Sequence, residues 1–234
     1  MLLGKLREEV LEANLDLVRR GLVLSTFGNV SGVSREQGLI VIKPSGVPYD
    51  TMKPADLVVT DLEGNVVEGT LRPSSDLPTH ALLYRKFSAI GGVAHTHSEY
   101  ATAWAQACKP IPCFGTTHAD YFHGEIPLTK VMADSAIRGE YELNTGAAIV
   151  ETFKKKDPLD VPAVLVANHG PFAWGADAAK ASENAWMLET AARMAYFTIA
   201  INPRAKGIGK PLHDKHFLRK HGKQAYYGQA KNKK

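Results

Sequence analysis

Two short apolar runs in this 234-residue chain end in histidine, and they constrain the fold more than any other feature. Residues 90–97 read IGGVAHTH, and residues 163–170 read AVLVANHG. Both runs are too short for buried helices and too apolar for loops, so they are expected to be buried strands. A strand that closes on histidine places an imidazole at the rim of a sheet. That is where α/β proteins collect ligands.

The rest of the chain supplies matching parts. Leu3, Leu6, Val10, Ala13 and Leu17 share one helical face, and Gly21 is a suitable stop for a helix over 3–20. Residues 22–33 look strand-like but broken by GNVSG, and residues 38–44 form a short strand leading into Ser45-Gly46. Apolar pairs on either side of 62–65 predict a hairpin. Further helices are expected over about 77–87, from Ser98 to Ala107, over 144–156 and, longest of all, over 176–200. There is no internal repeat and no interdomain linker. The pattern predicts one α/β domain over 1–234, with a mixed sheet covered by helices on both faces.

Composition narrows the function classes. Hydrophobic residues make up 44% and charged residues 22%, the profile of a globular protein. No apolar run approaches the length of a membrane span, and MLLGKLREEV lacks the apolar core of a secretory signal. A reducing cytoplasm is therefore expected, with Cys108 and Cys113 as free thiols in packing or surface roles. The net charge of +4 is uneven: residues 203–234 hold ten basic side chains and one acidic, while residues 1–202 hold 18 basic and 23 acidic. A basic tail suits nucleic acid, an anionic membrane or an anionic substrate. No motif elsewhere supports nucleic acid, and neither nucleic acid nor membrane is expected as a partner.

The chemistry-bearing residues fall into two sets. His95 and His97, two apart on a strand, can share a face, and His169 closes the other strand. Three neutral imidazoles suit zinc with one position left open. The alternative is three unrelated histidines that cap strands or bond within the core. Asp76 is either a fourth ligand or the N-cap of the helix that follows it. The second set comprises three small polar loops: Gly28-Asn29 with Ser31, Lys43 with Ser45-Gly46, and Ser74-Ser75 before a helix. Glycine admits backbone N–H groups close to an anion, and Ser, Lys and a helix start complete a phosphate nest. Each loop taken alone is also an ordinary turn. Neither a P-loop nor GxGxxG is present, so nucleotide binding is not indicated.

These segments together make the chain similar to the class II aldolase/adducin family over nearly its whole length. PSSD, HTHS and NHGPFAWG look like general family features. THADYFHG and the C-terminal DKHFLRKHG with AYYGQ are closer to its sugar-phosphate epimerases than to its aldolases. The resemblance implies a three-layer α/β/α sandwich with a mixed, largely antiparallel sheet. It also implies a cyclic homotetramer with active sites between subunits, the basic segment at about 203–234 closing over them. His95, His97 and His169 match the zinc histidines, and Asp76 matches the acidic residue of the zinc site, where aldolases carry a Glu base. Asn29, Lys43, Ser45, Gly46, Ser74 and Ser75 match the phosphate loops. Asp120 matches one catalytic acid/base and Tyr227, from a neighbouring subunit, the other. Thr116 and Glu142 match positions near that aspartate, and His216 and Arg219 match tail residues over the site. Phe27 stands where relatives often have Trp, and Ala167-Asn168 where a His-Ser pair is common. The implied reaction interconverts L-ribulose 5-phosphate and D-xylulose 5-phosphate by breaking and remaking the C3–C4 bond, in arabinose or ascorbate breakdown. An aldolase of the same family and a non-catalytic adducin-like interaction module are the competing readings.

Overall fold

The computed structural model describes residues 1–222 and 225–227. Seven strands form one sheet: β1 (Asn29–Ser34), β2 (Leu39–Ile42), β3 (Val58–Asp61), β4 (Val66–Glu68), β5 (Gly92–His95), β6 (Ala163–Val166) and β7 (Gly170–Gly175). Their order across the sheet is β4-β3-β2-β1-β5-β7-β6. Every strand pair is antiparallel, so the expected mixed sheet is not found. Among the described residues the single parallel element is an isolated bridge between Leu128 and Leu165. The reason lies in the connections: β1–β2, β3–β4 and β6–β7 are joined by hairpins or tight turns, which can only return a strand antiparallel.

Helices cover both faces. On one lie α1 (Gly4–Arg19), α3 (Glu99–Gln106) and the long α7 (Ala178–Ile201), which packs on β7, β5 and β1. On the other, α2 (Leu77–Lys86) packs against α6 (Tyr141–Thr152). Two short helices, α4 (Thr116–Ala119) and α5 (Asp134–Arg138), sit in the loops, and α8 (Lys210–His221) packs on α4. This is the three-layer α/β/α arrangement. No helix among the described residues is long and apolar enough to cross a membrane. The core between the layers contains fully buried Leu17, Ile40, Ile42, Leu83, Phe172 and Trp174. Truncating one such side chain to Ala typically costs about 2–5 kcal/mol, a large share of a domain's net stability.

Two local features differ from the sequence reading and explain themselves. GNVSG does not break a strand: β1 begins inside it at Asn29, and residues 22–28, expected as strand, form none. A Cβ on Gly32 would lie 2.8 Å from the Val10 side chain of α1, so glycine here lets helix and strand touch rather than turning the chain. The basic tail carries a helix, α8, whose Phe217 is buried and stacks on His123 with ring centroids 4.6 Å apart.

One further device shapes the sheet. β2 stops pairing with β1 at the Ser31–Ile42 pair, leaving the polar groups of Val30 without a strand partner on that side. The buried Asn14 of α1 takes that place. Its Oδ1 accepts the Val30 N–H at 2.8 Å, and its Nδ2 donates to the Val30 carbonyl at 3.0 Å.

Candidate active site

The β1–β5 pairing sets Asn29 directly opposite His95 at one end of the sheet. That register joins the two sets of chemistry-bearing residues. His95 is the last residue of β5. Its Nδ1–H donates to the Pro171 carbonyl at 2.9 Å, and its ring stacks on Phe172 with centroids 4.1 Å apart. A proton held on Nδ1 leaves Nε2 bare and aimed at the site. His97 lies beyond the strand rather than on it, yet its Nε2 comes within 3.2 Å of His95 Nε2. His169 does not close a strand either. It occupies the turn between β6 and β7, where its N–H bonds the Val166 carbonyl at 3.0 Å and Asn168 takes a φ of 61°. Asparagine tolerates that left-handed conformation better than most residues, so Asn168 allows a turn tight enough to present the imidazole. Ligand nitrogens of His95, His97 and His169 all lie within 4.8 Å of one another.

Asp76 lies beside this group but is not among the ligand atoms within 4.8 Å of one another. It stands at the start of α2 but makes no capping bond. Its Oδ2 instead accepts from Asn29 Nδ2 at 2.6 Å. Burial alone would raise this carboxyl, but the neighbouring His95 and His80, the Asn29 bond and His169 outweigh it and hold it below the usual range. Burial drives the His169 imidazole down to about 4, helped by His95 and His97, and lowers His97 as well. Near neutral pH His97 and His169 are therefore neutral imidazoles, beside an ionised Asp76 carboxylate. That is the donor chemistry of a divalent-cation site with a position to spare.

Next to it lies a cavity of about 220 Å³ lined by all six expected anion-loop residues. Gly28 takes a φ of 99°, which suits glycine, and a Cβ there would approach the His95 carbonyl to 3.2 Å. Lys43 is only 2% exposed; its ammonium packs 4.6 Å from the Tyr49 ring centroid, and burial lowers it to about 8. Among the described residues no carboxylate pairs with it. Asn29 Nδ2 also bonds Ser74 Oγ at 3.1 Å, while Asn29 Oδ1 is buried without a partner. Ser45, Gly46 and Ser75 are exposed at the mouth. A buried cation ringed by hydroxyls and loop backbone suits a phosphate.

The remaining expected residues form a second group. Asp120 caps α4, and its carboxylate receives Arg219 Nη2 at 2.8 Å, His216 Nδ1 at 3.0 Å and Lys220 Nζ at 3.5 Å, all from α8. Burial works against its charge, but the bonds from Arg219 and His216 and the charge of Lys220 prevail, so its pKa is lowered. Tyr227 lies 4.5 Å from the Arg219 guanidinium, ring centroid to Cζ. The Thr116 carbonyl accepts the Asp120 N–H at 2.9 Å. Glu142 lies in the first turn of α6, its carbonyl bound by Thr79 of α2 and its neighbour Tyr141 bonded to His169; among the described residues no hydrogen bond or salt bridge joins it to Asp120 of the same chain. Helix α6 starts at Tyr141, three residues before the expected 144, which places Glu142 in that turn. No hydrogen bond or salt bridge among the described residues joins the Asp120 group to the histidines of the same chain. The expected closing segment is described only as far as Tyr227; residues 228–234 lie outside the described residues.

Sequence reasoning missed Tyr141, Pro171 and Phe172. All three act through contacts with histidines distant in sequence, or through a backbone carbonyl that no motif marks. The NHGPFAWG run did hold Pro171 and Phe172 in plain view, beside His169.

The fold and this rim define an antiparallel α/β protein that sets a cluster of three histidines against a cavity around a buried lysine. The chain matches the Class II Aldolase and Adducin N-terminal domain over residues 8–196 and belongs to that family. It is 56% identical over 225 residues to the L-ribulose-5-phosphate 4-epimerase UlaF of Salmonella paratyphi B, covering 96% of this chain and 99% of that protein. Among solved structures, an L-fuculose 1-phosphate aldolase superposes with a TM-score of 0.77 at 26% identity, over 91% of this chain and 94% of that one. YgbL of Klebsiella pneumoniae superposes with a TM-score of 0.72 at 25% identity, over 90% and 97% respectively.

Proposed function

We propose that the chain is a metal-dependent L-ribulose-5-phosphate 4-epimerase, interconverting L-ribulose 5-phosphate and D-xylulose 5-phosphate. The observation that carries this reading is the histidine cluster adjoining a buried Lys43 that no carboxylate among the described residues pairs, in a chain 56% identical over 96% of its length to a protein of that name.

His95, His97 and His169, with Asp76, would hold the ion. The donor set fits zinc, because the His95 Nδ1–H is committed to Pro171 and its Nε2 is left for a ligand. When bound, such an ion supplies Lewis-acid stabilisation of the negative charge that develops beside a breaking C–C bond. Asn29, Lys43, Ser45, Gly46, Ser74 and Ser75 would grip the phosphate and keep the two-carbon aldehyde fragment in place while its carbonyl turns. Asp120 and Tyr227 would exchange the proton at the C4 hydroxyl, one for each configuration, since both epimers must be deprotonated and protonated. His216 and Arg219 hold Asp120 ionised for that task.

Because Asp120 and Tyr227 both engage Arg219, they would reach a given site from one and the same chain. Their separation from the histidines of their own chain supports a homo-oligomer, a tetramer by family resemblance, in which one copy supplies the cation site and its neighbour the proton carriers. Exposed Met194, Tyr196, Phe197 and Ile201 at the end of α7 offer apolar surface for such contacts. The compartment consistent with this chemistry is the cytoplasm.

Incubation with L-ribulose 5-phosphate tests the reading. Formation of D-xylulose 5-phosphate is the expected outcome. Accumulation of free glycolaldehyde phosphate instead would make the protein an aldolase, and absence of both would leave only the interaction module.

A further inference from the structure

An imidazole that binds a metal must present one bare nitrogen, and whatever holds its other nitrogen decides which one. For His95 the decision is unambiguous, because a carbonyl such as that of Pro171 can only accept. His169 has no such carbonyl. Its Nδ1 lies 3.2 Å from the Tyr141 hydroxyl, the only hydrogen-bond partner of that ring among the described residues. The rings of His95, His97 and Phe172 meet it at 66–83°, contacts that limit its tilt but do not select a nitrogen.

Tyr141 is itself firmly placed. It is the first residue of α6, where Thr145 Oγ1 bonds its carbonyl at 2.9 Å. The next residue, Glu142, has its carbonyl held by Thr79 Oγ1 at 2.5 Å. Thr79 belongs to α2, the helix that starts immediately after Asp76. One run of bonds thus leads from the helix that follows Asp76, through the start of α6, to the ring of His169. A phenol can donate or accept. If Tyr141 donated, Nδ1 would be bare and Nε2 protonated, which faces the wrong nitrogen toward His95 and His97. Only acceptance of Nδ1–H by Tyr141 Oη leaves His169 Nε2 free.

We propose that Tyr141 is a positioning residue of the cation site, holding His169 with Nε2 bare through an Nδ1–H···Oη hydrogen bond. This rests on the metal reading above. Partners of this kind typically contribute about 10- to 100-fold in metal affinity.

The test uses the purified full chain and Co²⁺ alone, with no substrate. Chelator competition should show Tyr141→Phe binding Co²⁺ about 10- to 100-fold more weakly than wild type. The metal-free variant should melt where the metal-free wild type does. Equal affinity in the two proteins overturns the inference while leaving the metal site intact. A wild type that binds no Co²⁺ overturns the metal reading itself. If the variant does not fold, the wild type still decides. Its cobalt form should show slowly exchanging, paramagnetically shifted N–H protons from both His95 and His169, and a fast-exchanging His169 proton refutes the assignment.

Discussion

The two groups of chemistry-bearing residues are built by different physics. At the histidines, side chains are placed by backbone: the Asn29–His95 register, the Asn168 turn and the Pro171 carbonyl. Positions set by strand pairing have little freedom to drift. Around Asp120 the placing is done by polar side chains, with Arg219, Lys220 and His216 of α8 meeting one carboxylate at the end of a four-residue helix. Ion pairs in a partly exposed place are weak one at a time and are screened by salt. On the proposed reading the contrast would separate holding from moving: an ion needs fixed donors, whereas a proton carrier must approach, act and withdraw.

The largest expected effect tests the fixed group. His95→Ala should remove the bound metal and reduce epimerisation by at least ~10³-fold, measured by metal analysis beside the coupled assay. Retention of one metal per chain would mean that the register does not define the site. A smaller effect is expected from Asp120→Asn, which should slow turnover by roughly 10²- to 10³-fold with metal content unchanged. Loss of metal in that variant would merge the two groups and erase the comparison.

The smallest effect concerns pH. Burial pushes His80 to about 3 and His169 to about 4, against ~6.5 in an unfolded chain. Between those values the unfolded chain takes up protons that the folded one refuses, so stability rises with pH and is lost as pH falls below ~6.5. The metal-free protein should therefore melt at least ~5 °C lower at pH 5 than at pH 7, by calorimetry. Asp120, whose pKa is lowered, stays charged across that window. A flat melting temperature would show that the histidine pocket is wetter than its burial indicates.

Much of this was legible from the residues alone, and the failures have physical causes. Helices α1, α2 and α7 announced themselves through apolar period and end signals, and the histidine runs announced the sheet rim. GNVSG misled because glycine marks both turns and close packing, and only the position of Val10 tells them apart. Helix α8 went unread because a run rich in Lys, Arg and His buries only Phe217, too little to print a period. Asp76 sat where a cap belongs but spends its carboxylate across the sheet on Asn29, 47 residues away. Tyr141 escaped because its meaning depends on an imidazole 28 residues further on.

Asn14 carries the last lesson. By standing in for a missing stretch of β2, its amide lets the chain peel off the sheet at Lys43 without orphaning Val30. The strand is thereby excused from its own ladder and can bend its lysine inward, where Ser74 N–H fastens the Lys43 carbonyl at 3.0 Å. The anion pocket thus owes its opening to a residue in the first helix, and a replacement such as Asn14→Leu would spoil it from behind by leaving two buried backbone groups unanswered.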